Sequence, residues 1–574
     1  MISPQIVGAK ILNLLQTRMY RSSARSVPCR ESLSELSSEK SEPLSPGSGT
    51  DDDGNTDDVE AFRDRRRKLL RASSQGVVPE NIDGIADNRE DENEVRLEKS
   101  RASKSVTDPN LVSWDGPNDP MNPKNWSIGR KWAAILVVSA FTFISPVSSS
   151  MVAPALNSMA QDLHITDTVL QAMTLSIFLL AYGVGPLFMG PLSEIYGRAI
   201  VLQIGNLFYL VFNLACGFAK TQNQMIIFRF LAGLGGSAPL AIGGGVLSDV
   251  FDATQRGKAV SIYSLAPLLG PAVGPIAGGF ITENTTWRWV FWATTICDAL
   301  IQLGGLWLLQ ETYAPVILHR KKIALIEETG NEDMHTAFDH PERRLAATLR
   351  IALFRPFKLL GTQIIVQVLA VYMAYIYGLM YLVLSTFPDL WEVRYHRSIA
   401  TGGLNYISLG AGFFLGSQIG ARLQDKIYLN LKKKNNGVGL PEFRVPLMVP
   451  GALFVPIGLF WYGWTAQAHL HWIMPNIGAA IFAAGTIIQF QSMQVYIIDS
   501  YTTYAASAIG AATVLRSLCA FGFPLWASYL YDALDYGWGN SVLGFVAVVL
   551  GWPAPLLLWK FGASLRKKST FAAG

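Results

Sequence analysis

The sequence predicts an all-α transmembrane protein built from two six-helix bundles. Half of the 574 residues are hydrophobic and only 16% are charged. From Trp132 to about Gly562, apolar runs of about 20 residues recur between short polar connections, and this length of helix crosses a ~30 Å hydrocarbon core. Polar residues are concentrated before residue 128, so the membrane-embedded part begins after a long hydrophilic tail.

The tail, residues 1–128, is predicted to be disordered and cytoplasmic. Its segment 34–60 is rich in serine and acidic residues and has too little apolar surface to offset the entropy of the chain. The first 30 residues carry five basic residues and no acid, which is similar to a mitochondrial presequence. An exposed cytoplasmic tail is the favoured interpretation, because an acidic segment and a dozen apolar runs follow.

Hydropathy predicts twelve membrane spans. They cover residues 132–155, 168–190, 199–219, 223–248, 258–281, 288–309, 357–386, 398–421, 445–466, 472–498, 504–531 and 538–561. The long charged connection 311–353, expected in the cytoplasm, separates an N-terminal bundle, 129–310, from a C-terminal bundle, 354–562. A short cytoplasmic tail, 563–574, remains.

The distribution of basic residues predicts the orientation. Lysines and arginines are concentrated in the loops after spans 2, 4, 6 and 8, whereas the opposite side carries Lys220, Arg288, Arg394 and Arg397. Both termini are therefore expected in the cytoplasm of a multi-pass protein of the plasma membrane, with the vacuolar membrane as the alternative. Asn284 opens an Asn-Thr-Thr sequon on the outer side and is a candidate glycosylation site.

Several function classes are disfavoured by what the sequence lacks. Its four cysteines have neither paired nor metal-type spacing, and no phosphate-binding loop of the GxxxxGK[ST] type is present. A net charge of +4 is too small to indicate nucleic acid. We expect no enzyme activity, no cofactor and no metal; the partners are lipid, a small-molecule substrate and the proton as coupling ion, and the protein is expected to be monomeric.

Two segments carry the most specific patterns. The loop after span 2 reads GPLSEIYGR, which predicts a tight turn with Gly190 and Gly197 at its ends and with Glu194 and Arg198 as charges at the helix junction. The second half has a partial echo of this loop, with Asp425 after span 8. Matching loops in two halves indicate an internal repeat. The second segment is LLGPAVGPIAGG, residues 268–279 in span 5.

The span 5 segment has two stripes with a four-residue interval. Glycine occupies positions 270, 274 and 278, and proline occupies positions 267, 271 and 275. Small residues let a neighbouring helix approach closely, and each proline leaves a backbone carbonyl without its helical donor. Since lipid cannot satisfy such groups, we expect this face to be turned toward protein or a cavity, as a bent seam on which the two halves pivot. A glycine zipper that only packs would explain the glycines but not the prolines.

These segments resemble the major facilitator superfamily. GPLSEIYGR resembles its loop 2–3 signature, Arg229-Phe-Leu-Ala-Gly-Leu-Gly235 resembles the RxxxGxG motif of drug:proton antiporters, and LLGPAVGPIAGG resembles the antiporter motif of span 5, here Gly270, Pro271, Gly274, Pro275, Gly278 and Gly279. Further pieces are similar to the fungal twelve-span multidrug and polyamine exporters: 311–315, 441–444 and 504–507. The similarity extends over about 114–559; Gln310 departs from it, since proline is usual there.

The resemblance implies proton-coupled export of hydrophobic or amphipathic molecules by alternating access. Drugs, toxins, secondary metabolites and polyamines are the expected classes. It further implies that Arg198 pairs with Asp249 at the cytoplasmic end of span 4, and we predict that Glu194 joins them in a cluster that locks the cytoplasmic side. The absence of PESPR-like and PETKG-like segments disfavours sugar uptake.

Charges and polar rings within the spans are candidates for coupling and binding. Arg229, Asp298 and Arg516 lie inside apolar runs, where a charge is costly unless it faces protein or water, and a buried carboxyl group can change protonation near neutral pH. A purely structural role stays open for Arg229 and Asp298. The predicted substrate cavity is lined by rings and amides: Tyr377, Tyr381, Asn405, Gln489 and Gln494. The alternative functions are a proton-coupled importer of an organic nutrient and a non-transporting membrane sensor.

Overall fold

The computed structural model describes residues 108–252, 256–339, 345–569 and 571–572. The first half contains α1 (Ile128–Ser150), α2 (Leu156–Asp162), α3 (Thr168–Tyr196), α4 (Arg198–Gly217), α5 (Gln222–Gly236), α6 (Ala238–Val250), α7 (Arg256–Asn284) and α8 (Arg288–Leu308). Span 1 is α1 continued by α2, span 4 is α5 with α6, and α3, α4, α7 and α8 are spans 2, 3, 5 and 6.

The second half follows two connecting helices, α9 (Ala314–Thr329) and α10 (Leu345–Thr362). It contains α11 (Ile364–Asp389), α12 (Ile399–Leu404), α13 (Tyr406–Lys434), α14 (Met448–Gln467), α15 (Ile473–Ser500), α16 (Ala505–Gly551) and α17 (Pro553–Lys567). Spans 7 to 10 are α11, α13, α14 and α15. Asp535, with φ of 54°, interrupts α16, so its first part is span 11 and its second part, with α17, is span 12.

Successive spans are antiparallel, and contacts between their ends define two sides. Lys124, before span 1, forms an ion pair of 3.5 Å with Asp252, just after span 4. At the other end of span 1, Asp162 pairs with Arg288 at the start of span 6. We call the side on which span 1 begins and span 12 ends the terminal side, and the opposite side the distal side.

The two halves meet through pairs of helices with small residues at the contact. Span 2 packs on span 11, where a Cβ at Gly183 would lie 2.9 Å from the Cβ of Ser517. Span 5 packs on α12 and span 8, where a Cβ at Gly410 would lie 2.6 Å from that of Ala272. On the distal side, the amide of Asn157 donates to Asp389 and to Glu392, at 3.4 Å each. The halves are therefore in contact at mid-depth and at the distal side.

The predicted fold class is confirmed, with helices along nearly all of the predicted spans. Among the described residues, nine stretches are long and apolar enough to cross a membrane, and one of them, Ala505–Lys567, contains both span 11 and span 12. The helices α7 and α13 lie outside this set although each has 29 residues. The two helices contact each other across the halves, and α13 ends in an exposed, lysine-rich stretch that lowers its mean hydropathy.

The structure differs from the prediction at the end of the tail. Residues 108–127, expected to be disordered, are folded: β1 (Leu111–Val112) pairs in parallel with β2 (His335–Thr336) in the central connection. Lys321 of α9 donates to the carbonyl of Ser113 at 2.9 Å. A two-residue strand held by turns carries no hydropathy signal, so the composition of this segment suggested a disordered chain. The rest of the tail prediction, including segment 34–60 and the presequence similarity, lies outside the described residues.

Candidate functional site

Arg229 connects three spans of the first half through hydrogen bonds. Its side chain is fully buried, and its guanidinium donates to four backbone carbonyls at 3.2–3.4 Å, those of Ser148, Ser149, Thr174 and Leu175. It also lies 4.6 Å from the ring centre of Phe178. The glycines that follow permit this approach, since a Cβ at Gly233 would lie 2.6 Å from the carbonyl of Phe178.

Hydroxyl groups and rings of both halves lie at mid-depth, in two sets of contacts. In the first half, Tyr182 forms a hydrogen bond with Ser145. Across the boundary between the halves, the hydroxyls of Ser149 and Tyr381 are 3.4 Å apart. We call the central cluster the set of Ser145, Ser149, Tyr182, Tyr377, Tyr381, Phe490 and Arg516.

The second half contributes an arginine between two rings. Tyr377 lies 5.2 Å from Tyr381 and stacks on Phe490 at 6.1 Å, measured between ring centres. The guanidinium of Arg516 lies 4.9 Å from the ring centre of Tyr377 and 5.2 Å from that of Phe490. Cation–π contacts of this kind are favourable, most of all where water is excluded.

Asp298 lies apart from the central cluster, between spans 3 and 6. Both of its carboxylate oxygens accept from the amide of Asn206, at 3.0 and 3.1 Å, and the side chain is fully buried. The same amide donates to Gln302, which in turn donates to Gln203 at 2.7 Å. Spans 3 and 6 make their main contacts within the first half, so the carboxylate is directed away from the second half.

On the terminal side, the predicted pairing of Arg198 and Asp249 is present, at 3.5 Å. The predicted third member is wrong: Glu194 is exposed, and the nearby carboxylate is Glu311. Its oxygens accept from the backbone N–H of Arg198 at 2.9 Å and of Ala199 at 3.3 Å. Carboxylates are favoured at a helix N-terminus because the first N–H groups have no partner within the helix.

Two further expectations about this cluster need correction. Every member belongs to the first half or to the residues directly after it, so the contacts do not bridge the halves as a lock would. The second expectation concerns the loop between spans 2 and 3, which has one sharp turn and not a turn at each glycine. Helix α3 continues through Gly190, around which a Cβ would meet nothing within 4 Å, and the break comes at Gly197, whose φ is 107°. A Cβ at Gly197 would also collide with the carboxylate of Glu311.

The second half repeats the charged arrangement. Arg444, just before span 9, pairs with Asp499 at the end of span 10 at 2.9 Å and with Asp425 at 3.2 Å. Arg566, at the end of span 12, forms two hydrogen bonds of 3.0 and 2.8 Å with the buried carboxylate of Glu442. The positions correspond to those of Arg198, Asp249 and Glu311, which agrees with the predicted internal repeat.

The glycine stripe of span 5 packs on span 1 of the same half. A Cβ at Gly270 would lie 2.6 Å from the Cβ of Pro146, and one at Gly274 would lie 2.6 Å from the carbonyl of Val147; at Gly278 it would collide with Met151. These glycines therefore do not form the expected pivot between the two halves, because they face span 1 of their own half. The neighbouring face, on which a Cβ at Gly279 would lie 2.9 Å from the carbonyl oxygen of Ile399, is the one that meets the second half. Pro271 and Pro275 are buried in protein, as expected.

Of the predicted cavity residues, Tyr377 and Tyr381 lie in the central cluster. Asn405 lies outside the cluster, because it follows α12 on the distal side. There its side-chain oxygen Oδ1 accepts from the side-chain amide of Asn476 at 2.6 Å. Gln489 packs within the second half and donates to Tyr372 at 3.0 Å. Gln494 is half-buried in α15, and Asn284 is exposed at the distal end of α7.

Four members of the central cluster, Ser145, Ser149, Tyr182 and Phe490, are not among the residues named from the sequence. Ser145 and Ser149 come from the run SPVSSS, and Tyr182 precedes a glycine, all inside strongly apolar helices. The polar run was a usable signal, because hydroxyl groups in a membrane helix require a partner in protein. Nothing in the sequence shows which side of such a helix faces the other half.

Two six-span bundles with charged pairs at matching positions on the terminal side, and a polar cluster at mid-depth between them, define a secondary-transporter architecture. The model of the Major Facilitator Superfamily matches residues 138–524. The chain belongs to this superfamily, as the resemblance indicated.

Two fungal efflux pumps are among the relatives of this chain. The chain is 54% identical over 467 residues to the efflux pump vrtL of Penicillium aethiopicum, with 81% of this chain and 92% of that protein covered. It is 41% identical to the efflux pump radE of Floropilus chiversii, with 81% and 86% covered.

Solved structures of distant members share the fold. The partially occluded, inward-open xylose transporter XylE of E. coli matches with a TM-score of 0.54 and 15% identity, covering 75% of this chain and 98% of that one. A bacterial homologue of the human lysosomal transporter Spinster, in an inward-facing state, matches with a TM-score of 0.53 and 13% identity, covering 77% and 99%. At such identity the likeness concerns the fold alone.

Proposed function

We propose that this protein exports hydrophobic or amphipathic small molecules by alternating access of its two halves, driven by protons. The observation that carries the proposal is the central cluster, in which hydroxyl groups, rings and one cation from both halves meet at mid-depth. Such a surface offers apolar area with a few directed polar contacts, which suits a bulky amphipathic ligand. The efflux pumps vrtL and radE support export over uptake.

Asp298 and Arg229 are the proposed coupling residues of the first half. Asp298 is a fully buried carboxylate that accepts hydrogen bonds from the amide of Asn206, and a carboxyl group in such surroundings can bind and release a proton during a transport cycle. Arg229 connects the two regions, because its partner Ser148 also donates to Asn213, at 3.0 Å, between spans 3 and 6. Ser149, whose carbonyl also accepts from Arg229, contacts Tyr381 in the second half.

The terminal side is proposed to face the cytoplasm, and the membrane is proposed to be the plasma membrane. The concentration of lysine and arginine on the terminal side supports this orientation. Asn284 would then lie outside the cell, where it is available for glycosylation. We further propose that the protein acts as a monomer and without a cofactor.

Efflux from cells tests the proposal. Cells that express the protein, and cells that lack it, are loaded with candidate amphipathic compounds, and retention is measured with and without a proton uncoupler. We expect lower retention with the protein and loss of this difference with the uncoupler. Greater accumulation in the expressing cells would instead favour a proton-coupled importer, and no difference for any compound would favour a sensor.

A further inference from the structure

We propose that the central cluster binds the acidic group of an aromatic organic acid through Arg516. This inference rests on the proposed function and narrows the substrate class to amphipathic molecules that carry a carboxylate or an ionised phenol beside a ring system.

Arg229 and Arg516 are satisfied in different ways. Arg229 donates to four carbonyls and is fully buried. For the half-buried Arg516, the described part of the chain provides no hydrogen bond and no ion pair, and its Nε is a buried nitrogen without an acceptor. Because a buried donor without an acceptor is costly, the two arginines differ: Arg229 has its acceptors within the chain, and Arg516 is a cation that still lacks one.

No carboxylate of the described chain is placed to neutralise Arg516. Asp298 is held between spans 3 and 6, and Asp499 pairs with Arg444 on the terminal side. Asp389 and Glu392 share the amide of Asn157 on the distal side. The counter-charge must therefore come from outside the described chain, and an anionic ligand supplies both the charge and the missing acceptor.

The position of Arg516 is suited to a ligand that moves between the halves. It lies 11 residues after the start of α16, about 16 Å along the helix, which is near the middle of a span. The next residue, Ser517, packs against Gly183 of span 2. A ligand bound here would contact both halves.

The surroundings of the guanidinium explain why the acid should be aromatic. Tyr377 and Phe490 already present ring faces to Arg516, and offset stacking with further rings is favourable. Guanidinium groups also bind carboxylates through two parallel hydrogen bonds, which a lysine cannot do.

Equilibrium binding to the full-length protein in detergent tests the inference. The probes are 1-naphthoate and 1-naphthamide, which share a ring system and differ in charge, and calorimetry measures their affinities at neutral pH. We expect naphthoate to bind about 10- to 100-fold more tightly than naphthamide, the range for hydrogen bonds to a charged group. Arg516→Gln should remove this difference and leave the affinity for naphthamide unchanged, whereas Arg516→Lys should retain part of it.

The exposed Arg320 of α9 provides the matched control, since Arg320→Gln removes the same charge from the surface and should keep the full preference. The inference is overturned if wild-type protein binds naphthoate no more tightly than naphthamide, or if the preference survives in Arg516→Gln. Transport is scored separately in proteoliposomes. An anion preference without export would contradict the proposed function alone, and export of neutral compounds without the preference would contradict this inference alone.

Discussion

Replacing Gly274 by alanine is expected to weaken the contact between span 5 and span 1. The new Cβ would lie 2.6 Å from the carbonyl oxygen of Val147 and 3.0 Å from the backbone nitrogen of Met151, and would collide with the hydroxyl of Ser150. Two of these atoms belong to the backbone of α1 or its continuation, so a side-chain rotation cannot relieve the contact and the two helices must separate.

The magnitude follows from the competing effects of one methyl group. Inserting it into a close-packed contact costs about 1–3 kcal/mol, while alanine regains up to about 1 kcal/mol of helix propensity over glycine. We expect a net destabilisation on the order of 1–2 kcal/mol. Gly304→Ala is the matched control, because its Cβ would meet nothing within 4 Å, and it should be neutral or stabilising by about 0.5–1 kcal/mol.

Thermal unfolding in detergent and export at matched surface expression provide the two measurements. Gly274→Ala should unfold at a lower temperature than wild type and export more slowly, and Gly274→Leu should abolish export while the protein still reaches the membrane. If Gly274→Ala were as stable as Gly304→Ala, or if Gly274→Leu exported normally, the close contact of spans 1 and 5 would not have the importance assigned to it.

Three further predictions concern ionisable groups. Glu311→Gln should destabilise the protein by about 0.5–2 kcal/mol, because it weakens the capping of span 3; thermal unfolding measures this, and Glu327→Gln, at an exposed position of α9, should have no effect. Asp298→Asn should preserve the fold but make export insensitive to an imposed pH gradient in proteoliposomes; a normal response would assign Asp298 a structural role. Asp339 lies outside the spans: burial raises its pKa, but hydrogen bonds from Lys322 and Thr336 outweigh this and hold it at about 2, below its ordinary 3.8. Its stabilisation of the central connection is therefore complete above pH 3.8 and lost only as the pH falls through about 2, so hydrogen exchange of residues 335–339, corrected for intrinsic rates, should show equal protection at pH 7 and pH 5.

Hydropathy and loop charge predicted the number and order of the spans because both depend on composition along the chain. They could not predict rotation about a helix axis. A helix that is apolar on all sides gives no preferred face, so Asp298 could be placed at the correct depth but not on the side facing span 3. Asn405 was misplaced because a short helix, α12, precedes span 8 and brings this residue to the distal end.

The charged motifs were predicted where sequence spacing fixes geometry and missed where the chain returns from a distance. Arg198 and Asp249 lie at the ends of adjacent antiparallel helices, so helix length places them on one side, and the family resemblance implied that they pair. Glu311 comes from beyond span 6, more than a hundred residues after Arg198, and Glu194 was the nearer candidate in sequence. The partial repeat of the loop in the second half was informative, because Asp425 does pair with Arg444.

The repeated charged networks also differ in a way that bears on how the halves move. In the first half, Glu311 caps a helix through backbone N–H groups, whereas in the second half the link between the end of span 12 and the start of span 9 is a side-chain ion pair, Glu442 with Arg566, in which both groups are buried. A buried pair that loses one partner leaves an uncompensated charge, while a cap that is lost exposes N–H groups that water can satisfy at the membrane surface. The terminal side of the second half is therefore the more rigid of the two, and rearrangement during alternating access is expected to be larger around Glu311 and the connection that follows it.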